Sequence, residues 1–293
     1  MDHALAFHSM TLDNICESAG RAMSAYLEPQ LDLFAAPALR PERRLAPADA
    51  GVLPSPAEFS DDELIAAIPV SGLTSGPALA AEAGRRRLAA VVPALEALCR
   101  RFCGFGLERV VPEQAAAIEA LRAIGGQDAA QAVARLIARS IVQGPGLRGA
   151  VAAAAELRSN LPIAVLSSLL RHPDPGVRAD ACRCARPDPK VISVLFDLLD
   201  DLNGAVARSA ACALGRMGRT EARTTLIHLL REAPSAEIID ASASLADEDC
   251  IVRLGRIARE RPELAALALD ALADIDHPRA SAIAATLGNG KIG

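Results

Sequence analysis

Large aromatic side chains are almost missing from this sequence of 293 residues. It contains no tryptophan, one tyrosine (Tyr26) and six phenylalanines, although 51% of its residues are hydrophobic. A core must therefore be built from Ala, Leu, Val and Ile. Because small side chains let helices approach one another closely, this composition favours stacked helix pairs. It also leaves few rings on which nucleic-acid bases could stack.

Lysine is also scarce, since Lys190 and Lys291 are the only two in the chain. Acidic residues outnumber basic ones and the formal net charge is −5 at pH 7. Such a balance produces no strong attractive field for nucleic acid or for an anionic membrane. We therefore expect that nucleic acid is not bound directly and that the protein makes no membrane contact.

Export and membrane signals are not recognisable in the sequence. The stretch from Met1 to Phe7 has neither a basic region nor a long apolar core of the kind found in signal peptides. No uninterrupted apolar run reaches the length needed to span a membrane. The seven cysteines form no regular framework, so we expect reduced thiols and a cytoplasmic location.

The residues that usually build metal or catalytic sites are dispersed. The closely spaced cysteines are Cys99 with Cys103 and Cys182 with Cys184. Neither pair has a second pair at zinc-site spacing, so we interpret them as small buried thiols in helices. His172 and His277 each precede a proline, where a turn-capping role is expected. No phosphate loop, dinucleotide fingerprint or nucleophile elbow is present, and the sequence predicts no cofactor, no metal and no catalytic residue.

Arginine runs occur at residues 85–87 and 100–101, where they could touch phosphate groups. Glu82, Glu96 and Glu108 interleave with them, and no aromatic platform accompanies them. A solvated helix face is the interpretation that this pattern favours.

The first 111 residues divide into two regions. Residues 1–59 combine a weakly amphipathic helix with a proline-rich linker that we expect to be mobile, because five prolines between 37 and 56 exclude regular structure. Residues 60–111 are predicted to be N-terminal capping helices. Ser60 and Glu63 have the form of a capping box, and Pro93 should divide a long helical region at 77–103. Gly104 is expected to cap its end.

Segments that begin near 173, 202, 234 and 262 can be superimposed at a spacing of about 30 residues, which is a signature of a solenoid. Each contains a turn, an alanine-rich helical stretch, a second turn and a second apolar helix. The predicted pairs are 112–124 with 128–142, 147–157 with 161–170, 176–185 with 189–199, 203–217 with 220–230, 236–246 with 248–260, and 262–274 with 278–287. Asp128 is expected to cap the second of these helices. Residues 112–293 are thus predicted to form an all-α array of about six helix pairs.

One unit carries a recognisable pattern. From Val206 to Gly218 the chain reads Val-x-Arg-x-Ala-x-x-Ala-Leu-Gly-x-x-Gly, and the preceding unit has Val177, Arg178 and Ala181 at related positions. The pattern resembles HEAT-like repeats, of the short kind first described in phycobilin lyases, over about 143–287. This resemblance implies a right-handed α-solenoid. Apart from it, Arg178 near a helix start should bond a neighbouring carboxylate or carbonyl and so tie units together.

A short peptide outside the array resembles a docking motif. Residues Gln30, Leu31, Asp32, Leu33 and Phe34 match at all five positions the pentapeptide by which bacterial replication and repair proteins bind the sliding clamp. The resemblance implies that Gln30 hydrogen-bonds at a pocket rim while Leu33 and Phe34 fill an apolar pocket. The alternative is that the segment merely packs onto the solenoid.

A second set of candidate residues lies in the second helices of the repeats, which line the concave side in HEAT-like arrays. The candidate concave-face contacts are Asp197, Asp201, Arg231, Arg253 and Arg256, with Asp200 and Arg259 nearby. A surface with charges of both signs suits a protein partner better than a nucleic acid.

Three functions remain open from the sequence. The first is a non-catalytic adaptor that holds a protein partner on its concave face and is tethered to the sliding clamp. The second is a DNA-binding or DNA-repair protein of the helical-repeat glycosylase type, which the scarcity of Trp and Tyr and the acidic charge disfavour. The third is a bilin lyase-like chaperone, which rests on the family resemblance alone.

Overall fold

A computed structural model describes residues 55–289 of the chain. The predicted N-terminal helix, most of the proline-rich linker and the Gln30 to Phe34 peptide lie outside the described residues. These described residues belong to one compact unit. Between residues 55 and 289 it consists of α-helices joined by short 3-10 turns and loops, and this range contains no β-strand.

Fifteen α-helices occur in the described part of the chain. They are α1 (Asp61–Ala67), α2 (Ser75–Arg86), α3 (Val92–Arg101), α4 (Pro112–Ile124), α5 (Gly126–Ala138), α6 (Gly146–Glu156), α7 (Ile163–Leu169), α8 (Pro175–Arg183), α9 (Pro189–Asp197), α10 (Gly204–Arg216), α11 (Arg223–Glu232), α12 (Ala236–Leu245), α13 (Glu248–Glu260), α14 (Pro262–Asp274) and α15 (Pro278–Asn289). The six predicted pairs are therefore all present, from α4 with α5 to α14 with α15.

Local sequence signals explain where many helices begin. Proline, whose missing N–H costs nothing in the first turn, occupies the first or second position of six helices, at Pro93, Pro112, Pro175, Pro189, Pro262 and Pro278. Short polar side chains accept hydrogen bonds from first-turn N–H groups at Asp174, Asp188, Asn203, Ser235 and Asp247. The predicted capping box is confirmed: Ser60 Oγ accepts from the Glu63 N–H at 3.3 Å, and Glu63 accepts from the Ser60 N–H at 2.7 Å.

Two predicted caps are wrong. Helix α5 begins at Gly126, so Asp128 lies inside its first turn, where its carboxylate interacts favourably with the helix dipole. Helix α3 is capped by Phe102, and Gly104 lies in the turns that follow. The predicted break near Pro93 is confirmed, since α2 ends at Arg86 and α3 begins at Val92.

The helices stack in two layers. In the first-helix layer, defined as α2, α4, α6, α8, α10, α12 and α14, each helix packs on the next. The second-helix layer is defined as α3, α5, α7, α9, α11, α13 and α15, and it includes the packed pairs α3 with α5, α7 with α9, α11 with α13, and α13 with α15. This arrangement confirms an all-α solenoid. Helices α2 and α3 extend both layers ahead of residue 112, whereas the right-handed twist stays a prediction.

Aliphatic side chains form one continuous core between the layers. Its largest fully buried members include Leu64, Leu95, Leu121, Leu136, Leu170, Leu195, Leu214, Leu226, Ile238 and Ile251. Core residues come from every unit of the array, including Ala268 and Leu272 of α14, so each unit completes the core of its neighbours. The prediction of a core without large aromatic side chains is confirmed for the described residues.

Close approach within the first-helix layer requires glycine at two positions. A Cβ atom added to Gly84 of α2 would lie 2.9 Å from the Ala120 Cα of α4. One added to Gly215 of α10 would lie 2.8 Å from the Ala241 carbonyl oxygen of α12 and 2.6 Å from Leu226 Cδ1. Since backbone atoms cannot move aside as flexible side chains can, glycine sets the helix spacing at both places.

We predict that Gly215→Ala shifts the urea midpoint of the full chain downward. Overpacking against the α12 backbone costs about 1–3 kcal/mol, which exceeds the gain of about 0.5–1 kcal/mol from alanine in a helix. Gly149→Ala in α6 is the matched control, because a Cβ atom there meets nothing within 4 Å. The control should be slightly more stable than the wild type. Equal stability of the two variants would contradict the assigned role of Gly215.

Candidate partner-binding face

Exposed or half-buried polar side chains lie along one side of each of three helices of the second-helix layer. They recur every three or four residues, as expected for the side of a helix turned away from a core. We define the second-helix face as Lys190, Ser193 and Asp197 of α9, Thr224, His228 and Arg231 of α11, and Asp249, Arg253, Arg256 and Arg259 of α13. The opposite sides of these helices carry buried residues, among them Leu195, Leu226 and Leu254.

Four of the five candidate contact residues lie on this face. Asp197 is exposed on α9 and Arg231 on α11, while Arg253 is half-buried and Arg256 exposed on α13. Helices α11 and α13 pack against each other, so the structure brings the three arginines onto neighbouring helices. The fifth residue, Asp201, lies elsewhere.

Asp201 belongs to a contact between two repeats. It follows the 3-10 turn after α9, its side chain is 8% exposed, and it accepts from the Arg178 guanidinium of α8 at 2.9 and 3.0 Å. Arg178 also donates to the carbonyls of His172 and Pro173 at 2.9 and 3.0 Å. The predicted structural role of Arg178 is therefore confirmed. The hydrogen bonds from Arg178 are the main cause that lowers the pKa of Asp201 below its usual value.

Other arginines hold successive units together in the same way. Examples are Arg122 with Glu156 at 2.8 Å, Arg216 with Glu237 at 3.2 Å, Arg223 with Asp247 at 2.9 Å, and Arg279 with Glu248. Several charged side chains on the second-helix face, by contrast, have no such partner among the described residues. Within residues 55–289, Asp197, Arg231, Arg253 and Arg256 form no ion pair. Charges of both signs on this face are thus available to a partner.

Several arginines of the two runs near the N-terminal end of the array bond neighbouring groups. Arg85 and Arg86 both bond Glu82, and their hydrogen bonds lower the pKa of that carboxyl to about 2. Arg86 also reaches Asp61 at 2.9 Å, and Arg101 donates to backbone carbonyls. The predicted solvated face is therefore wrong for Arg86, because this guanidinium links α1 to α2.

A buried carboxylate joins the first two helices of the second-helix layer. Glu96 of α3 is 5% exposed and accepts from Arg135 of α5 at 2.8 and 3.1 Å. Arg100, one turn further along α3, bonds the same carboxylate at 2.5 Å. The Arg135 hydrogen bonds are the main reason why the pKa of Glu96 is lowered. The Arg135 guanidinium therefore joins α5 to α3, whereas Arg100 bonds the same carboxylate within α3.

The predicted roles of the cysteines and histidines hold with one exception. Cys99, Cys182 and Cys184 are buried, and burial raises the pKa of each thiol to about 12. Cys103 is exposed, because α3 ends at Arg101 before reaching it, so the prediction of a buried thiol is wrong there. Turn capping by histidine is confirmed. The Nδ1 atoms of His172 and His277 accept from the N–H groups of Asp174 and Arg279, each at 3.1 Å.

Neither a metal-ligand cluster nor a membrane-spanning helix occurs among residues 55–289. In this range no group of three or more His, Cys, Asp and Glu side chains is arranged to hold a metal ion. Nor does any helix of the described region have the length and apolar character needed to cross a membrane.

The Arg178–Asp201 contact should make the free energy of unfolding depend on pH. Asp201→Asn should reduce the free energy of unfolding at pH 7 by about 1–3 kcal/mol, because a largely buried guanidinium loses its charged partner. Since the folded-state pKa of Asp201 is lowered, its contribution is present above the unfolded pKa of about 3.9 and is lost as the pH falls through the folded value. Urea denaturation should therefore show wild type and variant converging in acid. A constant difference from pH 7 to pH 3 would contradict this account.

A comparison with known protein families finds a resemblance over the central units of the array. Residues 163–247, which contain α7 to α12, match the family model for HEAT repeats. A search of curated proteins finds no match for the chain. The matched segment includes the Arg178–Asp201 and Arg216–Glu237 contacts that join consecutive units. The two-layer stacking of these helices agrees with the resemblance to HEAT repeats over residues 163–247.

Proposed function

We propose that this protein is a non-catalytic scaffold that binds a protein partner through the second-helix face, and that Gln30 to Phe34 recruits it to the bacterial sliding clamp. One observation carries the first half of this proposal. Many arginines of the array are consumed in contacts between helices, whereas Arg231, Arg253 and Arg256 form no ion pair within residues 55–289. HEAT repeats generally mediate protein–protein interaction, which agrees with a scaffold role.

The composition of the face favours a protein as the partner. Arginine is enriched in protein interfaces because its planar guanidinium can bond carboxylates at two points and also stack. Asp197, on the same layer, supplies the opposite charge. A partner with acidic side chains opposite α11 and α13 and a basic one opposite α9 would complement this pattern. Such complementarity sets orientation and raises the association rate.

The clamp half of the proposal rests on the match of the peptide to the clamp-binding pentapeptide. Leu33 and Phe34 are the apolar anchors, and Gln30 is the polar contact at the rim. A peptide tether and a separate binding face on one chain would hold the partner near the clamp at an increased effective concentration. This arrangement explains why a scaffold would carry both elements.

The face is tested by charge reversal. Proteins labelled in the host cell by proximity to the full-length chain are first identified, and the recovered partner is then titrated in purified form. Arg231→Glu/Arg256→Glu should weaken binding about tenfold or more, because two favourable charge pairs become repulsive. Arg109→Glu/Arg208→Glu is the matched control, since both side chains are exposed and form no ion pair within the described residues. Equal affinities for the two double variants would contradict the proposed face.

The peptide is tested on the full-length chain with immobilised bacterial sliding clamp. Phe34→Ala should weaken binding by about 10- to 100-fold, because burying a phenylalanine side chain contributes about 1.5–3 kcal/mol. Leu39→Ala, which truncates an apolar residue outside the pentapeptide, should bind as the wild type does. Undiminished binding by the Phe34 variant, or no saturable binding by the wild type, would remove the clamp from the proposal.

A further inference from the structure

Four arginines line one cleft at the edge of the first-helix layer. The cleft has a volume of about 570 Å³ and lies where α6, α8 and α10 end, beside α12. Its charged lining residues are Arg158, Arg183, Arg186, Arg216, Glu237 and Asp240. Three successive units thus contribute arginines that lie at the end of their first helices or within three residues after it.

Helix termination explains part of this arrangement. Arg183 and Arg216 are the last residues of α8 and α10, where cations interact favourably with the helix dipole. Arg158 follows α6 in a left-handed conformation, with φ of 52°. The next N–H, that of Ser159, closes the helix by donating to the Ala154 carbonyl at 2.8 Å. These local rules place the arginines at the cleft but do not determine what they bind.

The guanidinium groups differ in how far they are engaged. Arg216 pairs with Glu237 at 3.2 Å, and Arg183 lies 3.6 Å from Asp180. Arg186 donates one hydrogen bond, to the Ser159 carbonyl at 2.9 Å. Arg158 forms no ion pair or side-chain hydrogen bond with any residue from 55 to 289. Arg158 and Arg186 therefore keep most of their donors for a ligand.

One residue that lines the cleft carries a buried hydroxyl group without a hydrogen-bond partner among residues 55–289. Ser159 lines the same cleft and is 2% exposed, and its Oγ has no hydrogen-bond partner among the described residues. A buried hydroxyl without a partner is unfavourable by about 1–3 kcal/mol. An acceptor oxygen on a bound ligand would remove that penalty, and the adjacent Arg158 and Arg186 would supply the charge to hold it.

The electrostatic balance of the cleft favours an anion. Four arginines face two carboxylates, in a protein whose formal net charge is −5. Apolar wall residues, among them Ala155, Cys184 and Ala185, reduce the screening of these charges by water. The carbonyl ends of α6, α8 and α10 disfavour an anion, and the excess of arginine offsets them. The volume is of the size that accommodates small molecules.

We propose that this cleft binds a small molecule bearing a phosphate group. Arg158 and Arg186 bond the phosphate oxygens, because the planar guanidinium donates two parallel hydrogen bonds to such an anion. The Ser159 hydroxyl donates a further hydrogen bond. The cleft is formed by the first-helix layer, so this site is separate from the second-helix face and does not depend on the proposed scaffold function.

The test is calorimetric titration of the full-length protein with inorganic phosphate and, separately, with glycerol 3-phosphate. Saturable binding of one or both is expected, and tighter binding of the ester indicates an organic ligand. Arg158→Gln/Arg186→Gln should weaken binding at least about tenfold, because charge-assisted hydrogen bonds are lost. Ser159→Ala should weaken it about threefold or more without lowering the thermal midpoint, since the hydroxyl has no protein partner to lose.

Arg109→Gln/Arg208→Gln is the matched control, which removes two exposed arginines elsewhere and should leave phosphate binding unchanged. No saturable binding of either anion up to about 10 mM would overturn the proposal. An equal loss of affinity in the control would also overturn it, because the anions would then be responding to net charge and not to this cleft.

Discussion

The spacing of the first-helix layer is the constraint on which the rest of the array depends. Gly84 against Ala120 and Gly215 against Ala241 bring successive first helices close enough that no larger side chain fits between them. This spacing fixes how far each unit is displaced from the last. It therefore also fixes where the second helices lie and where the ends of the first helices meet. Both candidate binding surfaces are consequences of this stacking.

The stacking of the units also determines which charged side chains meet. Where two units meet, an arginine from one reaches a carboxylate of the next, as Arg178 reaches Asp201 and Arg223 reaches Asp247. Each such pair is formed by residues more than 20 positions apart in sequence. Arginines without an ion pair among residues 55–289 include Arg231, Arg253 and Arg256 on α11 and α13, and Arg158 and Arg186 at the cleft. Ion pairs between units therefore leave these guanidinium groups available to ligands.

Much of the fold follows from local sequence signals. Proline in the first turn, Asp, Asn and Ser at the helix starts, and alanine-rich stretches at a 30-residue spacing predict the six helix pairs within a few residues. The errors at Asp128 and Gly104 arise because a cap is decided by backbone geometry that one residue type does not specify. The exposure of Asp197, Arg231 and Arg256 agrees with the open face that the resemblance to HEAT-like arrays implies for the second helices.

Contacts between units are harder to predict, because they depend on residues brought together by stacking. Asp201 has the same sequence signature as an exposed carboxylate, and only the approach of α8 shows that Arg178 occupies it. The sequence does not reveal the cleft either, because its residues come together only when the units stack. Arg158, Arg183 and Arg216 each look like an ordinary cation at a helix end, and the one available signal was their recurrence in three consecutive units. The DNA-repair and bilin-lyase alternatives stay predictions, because they concern ligands and not the fold.

The most direct test of the scaffold claim is hydrogen–deuterium exchange of the full-length protein with and without its recovered partner. If the second-helix face is the binding surface, slowed exchange should concentrate in α9, α11 and α13, while the first-helix layer keeps the exchange rates of the free protein. Protection confined to the first-helix layer, with α11 and α13 unchanged, would contradict the account and move the partner to the opposite side of the array.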